Sequence, residues 1–169
     1  MTHKKIQSER VDQISESIVM SSSREIVSGD VDWRKTGAVG PVKNQGHCGS
    51  CWAFATASVL ESAYFFENGQ YKALSEQQMV DCADGDYGDY GCDGGLPAFA
   101  MLYTDHNPLM SEEDYPYNES EGTCNYDKEK GLISAGGFTM VEPNNPYQMQ
   151  AAVDLGPVTI AVDASSFAF

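Results

Sequence analysis

The chain has 169 residues, enough for one domain or one and a half. Its hydrophobic share of 41% provides for a core and excludes a disordered composition. The 25 acids against 10 bases give a net charge of −15, which excludes nucleic acid and anionic membranes as partners. Such acidity reads as a solvated surface, or as a protein kept soluble in an acidic compartment.

Residues 1–30 form a polar leader or loosely attached arm, with SSS at 21–23 and SGD at 28–30. Two lysines near the start have no apolar stretch behind them, so no signal peptide is expected. The chain lacks an apolar run of about 18 residues, so no transmembrane helix is predicted. VDWRKTGAV at 31–39 mixes strand and turn signals, and GPVKNQGHCGS is an irregular loop ending in Ser50. CWAFATASVLESAYFFENG then predicts a buried helix over 51–69, with large apolar residues at Trp52, Phe54, Val59, Leu60 and Tyr64. Asn68-Gly69 is its stop signal. LSEQQMVDCA at 74–83 predicts a second helix, and Ser75 stands three before Gln78, the spacing of a capping box. The Gly- and Asp-rich stretch 82–97 is a series of turns, followed by a short third helix in GLPAFAMLYTDH. Residues 111–126 read as loop and carry an N-x-S sequon at Asn118. ISAGGFTMV at 133–141 and GPVTIAVDA at 156–164 are the clearest strand signals, bracketing a helix in PYQMQAAVDLG. Helices first and strands after favour an α+β class.

The five cysteines are Cys48, Cys51, Cys82, Cys92 and Cys124. An odd count fits two disulfides and one free thiol in an oxidising compartment, or five reduced thiols in a reducing one. A zinc site on the C-x-x-C pair would need a second knuckle, which the sequence lacks. A redox pair would need a strand before the motif, where VGPVKNQGH reads as loop.

DWR at 32–34, GAVGPVKNQGHCGSCWAF at 37–54, LSEQQMVDC at 74–82, GCDGG at 91–95 and GPVTIAVDA at 156–164 stand in the order of a known family's landmarks. From about residue 31 onward the chain resembles the papain-like cysteine proteases, the cathepsin family, whose known C-G-[SA]-C-[WY] signature CGSCW matches. The resemblance implies a two-domain α+β fold. Residues 31–132 would form a helical domain carrying the nucleophile, and 133–169 the start of an incomplete β-rich domain. It also implies a cysteine endopeptidase acting on peptides or proteins, with no cofactor and no metal. The alternative is a non-catalytic structural or binding subunit, against which Cys51 and Gln45 both argue.

The chemistry explains the implied roles. A cysteine protease attacks as the thiolate, and the positive end of a helix stabilises that charge. Cys51 heads the predicted helix and is the implied nucleophile. By resemblance Cys48 pairs with Cys92 and Cys82 with Cys124. Each bridge closes a loop of about 40 residues, worth roughly 4 kcal/mol in the chain-entropy account. Gln45 would donate a side-chain N–H to the developing oxyanion, alongside the Cys51 backbone N–H. Gly49, Gly94 and Gly95 would line the substrate path, where the Gly-Gly backbone can pair with an extended peptide. Leu96, Pro97 and Ala161 map to an apolar S2 pocket.

The family's histidine base lies about 130 to 150 residues beyond its nucleophile. From Cys51 that place falls after Phe169. His3 lies in the leader, His47 reads as a rim residue and His106 as a surface or cap residue, so none is the expected base. The 169-residue chain is therefore expected to be a fragment, inactive alone, with a second chain or prosegment as a partner. Family resemblance places the protein in a lysosome, a vacuole or the extracellular space.

Overall fold

The computed structural model describes residues 29–83 and 85–162. Helix α1 runs Cys51–Asn68. Its buried positions Trp52, Ala53, Thr56, Ala57, Leu60 and Glu61 recur with helical period and make one inward stripe. It stops at Gly69, whose φ of +71° closes the last turn through a 2.8 Å bond from its N–H to the Phe65 carbonyl.

Helix α2, Glu76–Cys82, begins where the Ser75 hydroxyl accepts the Gln78 N–H at 2.9 Å. The predicted span began two residues earlier, but Leu74 instead forms an antiparallel bridge with Ser111. Glu76, Gln77, Gln78, Met79 and Val80 are all buried. The polar members of α2 serve as bonding partners for neighbouring loops. Gln78 Oε1 accepts the Met110 N–H at 2.8 Å, and Gln77 Oε1 accepts the Asn118 N–H at 3.0 Å.

Helix α3, Pro97–His106, carries proline at its first position, where no N–H is missed. Both α2 and α3 pack on α1. The core gathers Trp52, Leu74, Met79, Tyr103, Leu109 and Ile133 between them. Helix α4, Pro146–Leu155, is capped by the Asn145 side chain, which accepts the Gln148 N–H. The Trp33 indole N–H donates to the Val153 carbonyl at 2.7 Å, and its ring meets Phe66 edge-on at 5.4 Å. Trp33 thereby ties α1 and α4 to the 3-10 turn Trp33–Thr36.

An ion cluster anchors the loop before α1. Lys43 Nζ lies 2.5 Å from Glu61 Oε1 and 2.6 Å from Glu76 Oε1. Burial disfavours the Lys43 charge, but the two carboxylates outweigh it and hold the ammonium above its ordinary value. Disulfides join Cys48 to Cys92 and Cys82 to Cys124.

The two predicted strands do not form among the described residues. Only isolated bridges occur, Leu74 with Ser111 and Leu109 with Ile133, so of the stretch 133–141 only Ile133 pairs. Residues 156–162 run without ladder bonds, and 163–164 lie outside the described residues. Strand propensity expresses fit to a pleated surface, and it needs a neighbouring ladder to become structure. Met140, Ile160 and Val162 accordingly stand more than half exposed. The leader over 1–28 is likewise outside the described residues. Among them no helix is long and apolar enough to cross a membrane, and no group of three potential ligands could hold a metal ion.

Candidate active site

The site is built where the loop over 40–50 runs into α1. Cys51 is the first residue of that helix, and its thiol is free and exposed. At this position its backbone N–H has no preceding turn to bond to, and the helix end favours negative charge. Cys48 is bonded to Cys92, so the C-x-x-C spacing makes neither a redox pair nor a zinc knuckle here.

Gln45 is half-buried in the same loop, and one of its side-chain N–H groups donates to the Cys48 carbonyl at 2.8 Å. The amide keeps a second N–H for another acceptor. Tyr117, reaching in from a distant loop, fastens this geometry. Its hydroxyl donates to the Gln45 carbonyl at 2.8 Å and lies 2.6 Å from Ser50 Oγ. A phenol has one proton. With that proton on Gln45, the Ser50 hydroxyl is the donor to Tyr117. The Tyr117 ring also meets Phe54 of α1 edge-on at 4.9 Å. Burial raises its hydroxyl pKa, and the Ser50 contact works against that shift. The sequence reading did not single out Tyr117. The only signal was an aromatic between Pro116 and a sequon in an otherwise polar loop.

A wall stands beside this loop. Gly49 N–H donates to the Cys92 carbonyl at 2.9 Å. A side chain at Gly49 would collide with that same carbonyl. The Trp52 indole N–H donates to the Gly91 carbonyl at 3.1 Å. These bonds and the Cys48–Cys92 bridge join Gly49, Gly94, Gly95 and Leu96 into one region next to the start of α1. Gly94 has φ +111°, which disfavours any other residue, and open space where a Cβ would point. Gly95 N–H and C=O enter no hydrogen bond among the described residues. Leu96 is about half exposed, and Pro97 is half-buried at the start of α3. Ala161 is exposed on the segment after α4 and shares no hydrogen bond with the wall among the described residues.

Behind the wall lies a residue that sequence reading passed over. Asp89 is fully buried, and its Oδ1 accepts the Leu96 N–H at 2.8 Å. Burial pushes its carboxyl up to about 7, against the lowering influence of the Leu96 amide. His47 is exposed in the loop before α1. His106 is exposed at the end of α3, with Nδ1 3.3 Å from the Leu102 carbonyl oxygen. Neither is hydrogen-bonded to Cys51 among the described residues. His3 lies outside the described residues. Asn118 is exposed, and its Oδ1 accepts both the Ser120 N–H and, at 2.7 Å, the Ser120 hydroxyl.

The free thiol at the start of α1, the Gln45 amide bonded to the Cys48 carbonyl and the glycine-rich wall thus lie in and around one loop. The chain belongs to the papain family of cysteine proteases, whose family model matches residues 27–169. It is 46% identical over 136 residues to procathepsin L of Rattus norvegicus, covering 80% of this chain and 40% of that protein. It is 40% identical over 144 residues to digestive cysteine proteinase 1 of Homarus americanus, covering 84% of this chain and 45% of that one. Among solved structures, digestive procathepsin L 3 of Tenebrio molitor larval midgut superposes with a TM-score of 0.76 at 30% identity. That match covers 88% of this chain and 50% of the other. The chain thus spans less than half the length of these two curated relatives. Its fold is the papain-like α+β fold, with the helical part present and the β-rich part incomplete among the described residues.

Proposed function

We propose that this protein is a cysteine endopeptidase in which Cys51 is the nucleophile. The supporting observation is that Cys51 keeps a free, exposed thiol at the first turn of α1, while the other four cysteines are bridged. In this reading the thiolate attacks the peptide carbonyl carbon. The charge that develops on its oxygen meets the free N–H of Gln45 and the backbone N–H of Cys51, each worth a factor of about 10² to 10³ in rate. The C–N bond then breaks, the amine leaves with a proton, and water hydrolyses the thioester. Gly94 and Gly95 pair with the extended substrate, while Gly49 keeps the approach to the thiol open. Leu96, Pro97 and Ala161 favour an apolar residue at P2.

A group within about 2.6 to 3.2 Å must take the thiol proton as base and then give it to the leaving amine as acid. We assign that role to none of the described histidines, so residues 1–169 alone are expected not to turn over. Residues 31–132 act as the nucleophile-bearing domain in this reading, and 133–169 contribute to the β-rich one. A prosegment or a second chain is the proposed partner, and a lysosomal, vacuolar or extracellular compartment the proposed location. Asn118 is the proposed glycosylation site within it.

The test is selective labelling. A peptidyl epoxide with an apolar P2 residue should modify Cys51 in the intact protein, and Cys51→Ala should abolish both labelling and peptide turnover. Turnover that survives Cys51→Ala refutes the reading. Turnover by residues 1–169 that is lost on His47→Ala or His106→Ala refutes the claim that neither is the base.

A further inference from the structure

Asp89 is a buried acid that the scheme above leaves unused. One oxygen accepts the Leu96 N–H, and the other, Oδ2, is buried with no partner among the described residues. A buried oxygen left unpaired opposes folding, so its retention needs a compensating reason. The carboxyl also crowds Gly95. A side chain at Gly95 would collide with Asp89 Oδ1 and come within 2.8 Å of the Trp52 ring. Thus Asp89 grips Leu96 by a hydrogen bond and closes the space behind Gly95. The carbonyls on either side of Gly95 are held, Gly94 C=O by the Tyr90 N–H and Leu96 C=O by the Phe99 and Ala100 N–H groups, while the Leu96 N–H is held by Asp89. Residues 94–96 belong to no helix or strand, and Gly95 spends neither of its backbone groups inside the described fold.

We propose that Asp89 is a positioning residue, whose buried carboxyl holds the Gly95–Leu96 backbone at the setting where an extended peptide pairs with it. The proposal rests on the peptidase reading of Gly94 and Gly95. Asp89 acts through that backbone, does not touch the substrate and takes no part in bond breaking. The acceptor oxygen is what the role requires, so asparagine should replace it and alanine should not.

Two measurements on the intact protein separate this proposal from the reading beneath it. The first is amide hydrogen exchange at Leu96, which needs no catalysis. Asp89→Ala should speed exchange about tenfold, the equivalent of one net hydrogen bond, while Asp89→Asn leaves it near the parent rate. The second compares inactivation by a peptidyl epoxide, which uses the wall, with alkylation by iodoacetamide, which does not. Asp89→Ala should raise the epoxide's half-saturation concentration about tenfold at unchanged iodoacetamide rate, and Asp89→Asn should restore it. Unchanged Leu96 exchange in Asp89→Ala overturns the proposal. So does a parallel fall with both reagents, or an Asp89→Asn protein that behaves like Asp89→Ala. If Asp89→Ala does not fold, the parent protein still decides, because a Leu96 amide exchanging as fast as an unbonded one overturns it. An intact protein whose Cys51 reacts with neither reagent defeats the peptidase reading, while Leu96 exchange continues to judge Asp89.

Discussion

Replacing Lys43 with methionine tests how the loop before α1 is fastened to the helices beneath it. The ammonium lies within 2.6 Å of both Glu61 and Glu76, whose side chains are 4% and 1% exposed. Glu61 has further donors in the Leu74 N–H at 2.9 Å and the Tyr71 hydroxyl at 3.0 Å. Glu76 leans more heavily on Lys43. Burial raises its carboxyl from 4.5 to about 7 even with the lysine in place. A shift of that size corresponds to about 3 kcal/mol between its two protonation states. The raised midpoint fixes the sign. The stabilising contribution is fully present below the unfolded midpoint of 4.5 and is lost as pH rises through about 7. Without Lys43 the Glu76 midpoint rises further, so the variant suffers most at high pH. Lys43→Met is expected to cost about 3 to 5 kcal/mol at pH 8, the usual result of stranding a buried charge. At pH 5 the Glu76 carboxyl takes up a proton, and the loss should shrink to about half. Urea unfolding at the two pH values measures both numbers. Adding Glu76→Gln should recover part of the loss at pH 8 and little at pH 5. A loss below about 1 kcal/mol at pH 8 would refute the reasoning, since an exposed pair contributes no more than that. A loss independent of pH would refute it equally.

Tyr117→Phe should strip the Gln45 carbonyl and buried Ser50 hydroxyl of a shared partner, costing about 1 to 2 kcal/mol in a thermal melt and lowering turnover more than substrate affinity. Gly49→Ala should force the loop before α1 away from the Cys92 carbonyl, at about 1 to 3 kcal/mol by denaturant unfolding. Replacing Cys82 and Cys124 together by serine opens a bridge spanning 42 residues. That change should cost about 4 kcal/mol in unfolding, yet leave Cys51 alkylation intact in the folded protein. Asp89 has its midpoint raised from 3.8 to about 7, so its contribution falls as pH climbs between those values. Asp89→Asn should remove that part of the stability–pH slope, and an unchanged slope would show that another group carries it.

Much of the helical part was legible because its signals are local. Ser75 faces Gln78 across a single turn, and Asn68-Gly69 marks the end of α1 within two residues. CGSCW and GCDGG mark places where backbone geometry requires glycine or sulfur, so short motifs locate them. The strands were illegible as structure because pairing depends on a partner, and valine or isoleucine alone supplies none. Tyr117 and Asp89 escaped for another reason. Tyr117 works on residues 67 and 72 positions away, and nothing beside it in the chain announces that reach. Asp89 acts only seven positions away, yet it sits among the several acids of a turn-rich loop and only burial distinguishes it.

The free thiol of Cys51 stands three residues from the sulfur of Cys48, itself oxidised to Cys92. In the folded protein α1 holds these neighbours in separate bonding arrangements. Once the chain opens, that restraint is gone. An unconfined thiolate can then displace either sulfur of the bridge, and the freed cysteine can carry the exchange onward to Cys82 or Cys124. Each swap preserves the count of disulfides while erasing their order. Denaturation in alkaline, unreduced solution is therefore a one-way street, its course governed by the lifetime of the native state. In acidic solution thiol–disulfide exchange stalls, and the same opened chain retains its original pairings.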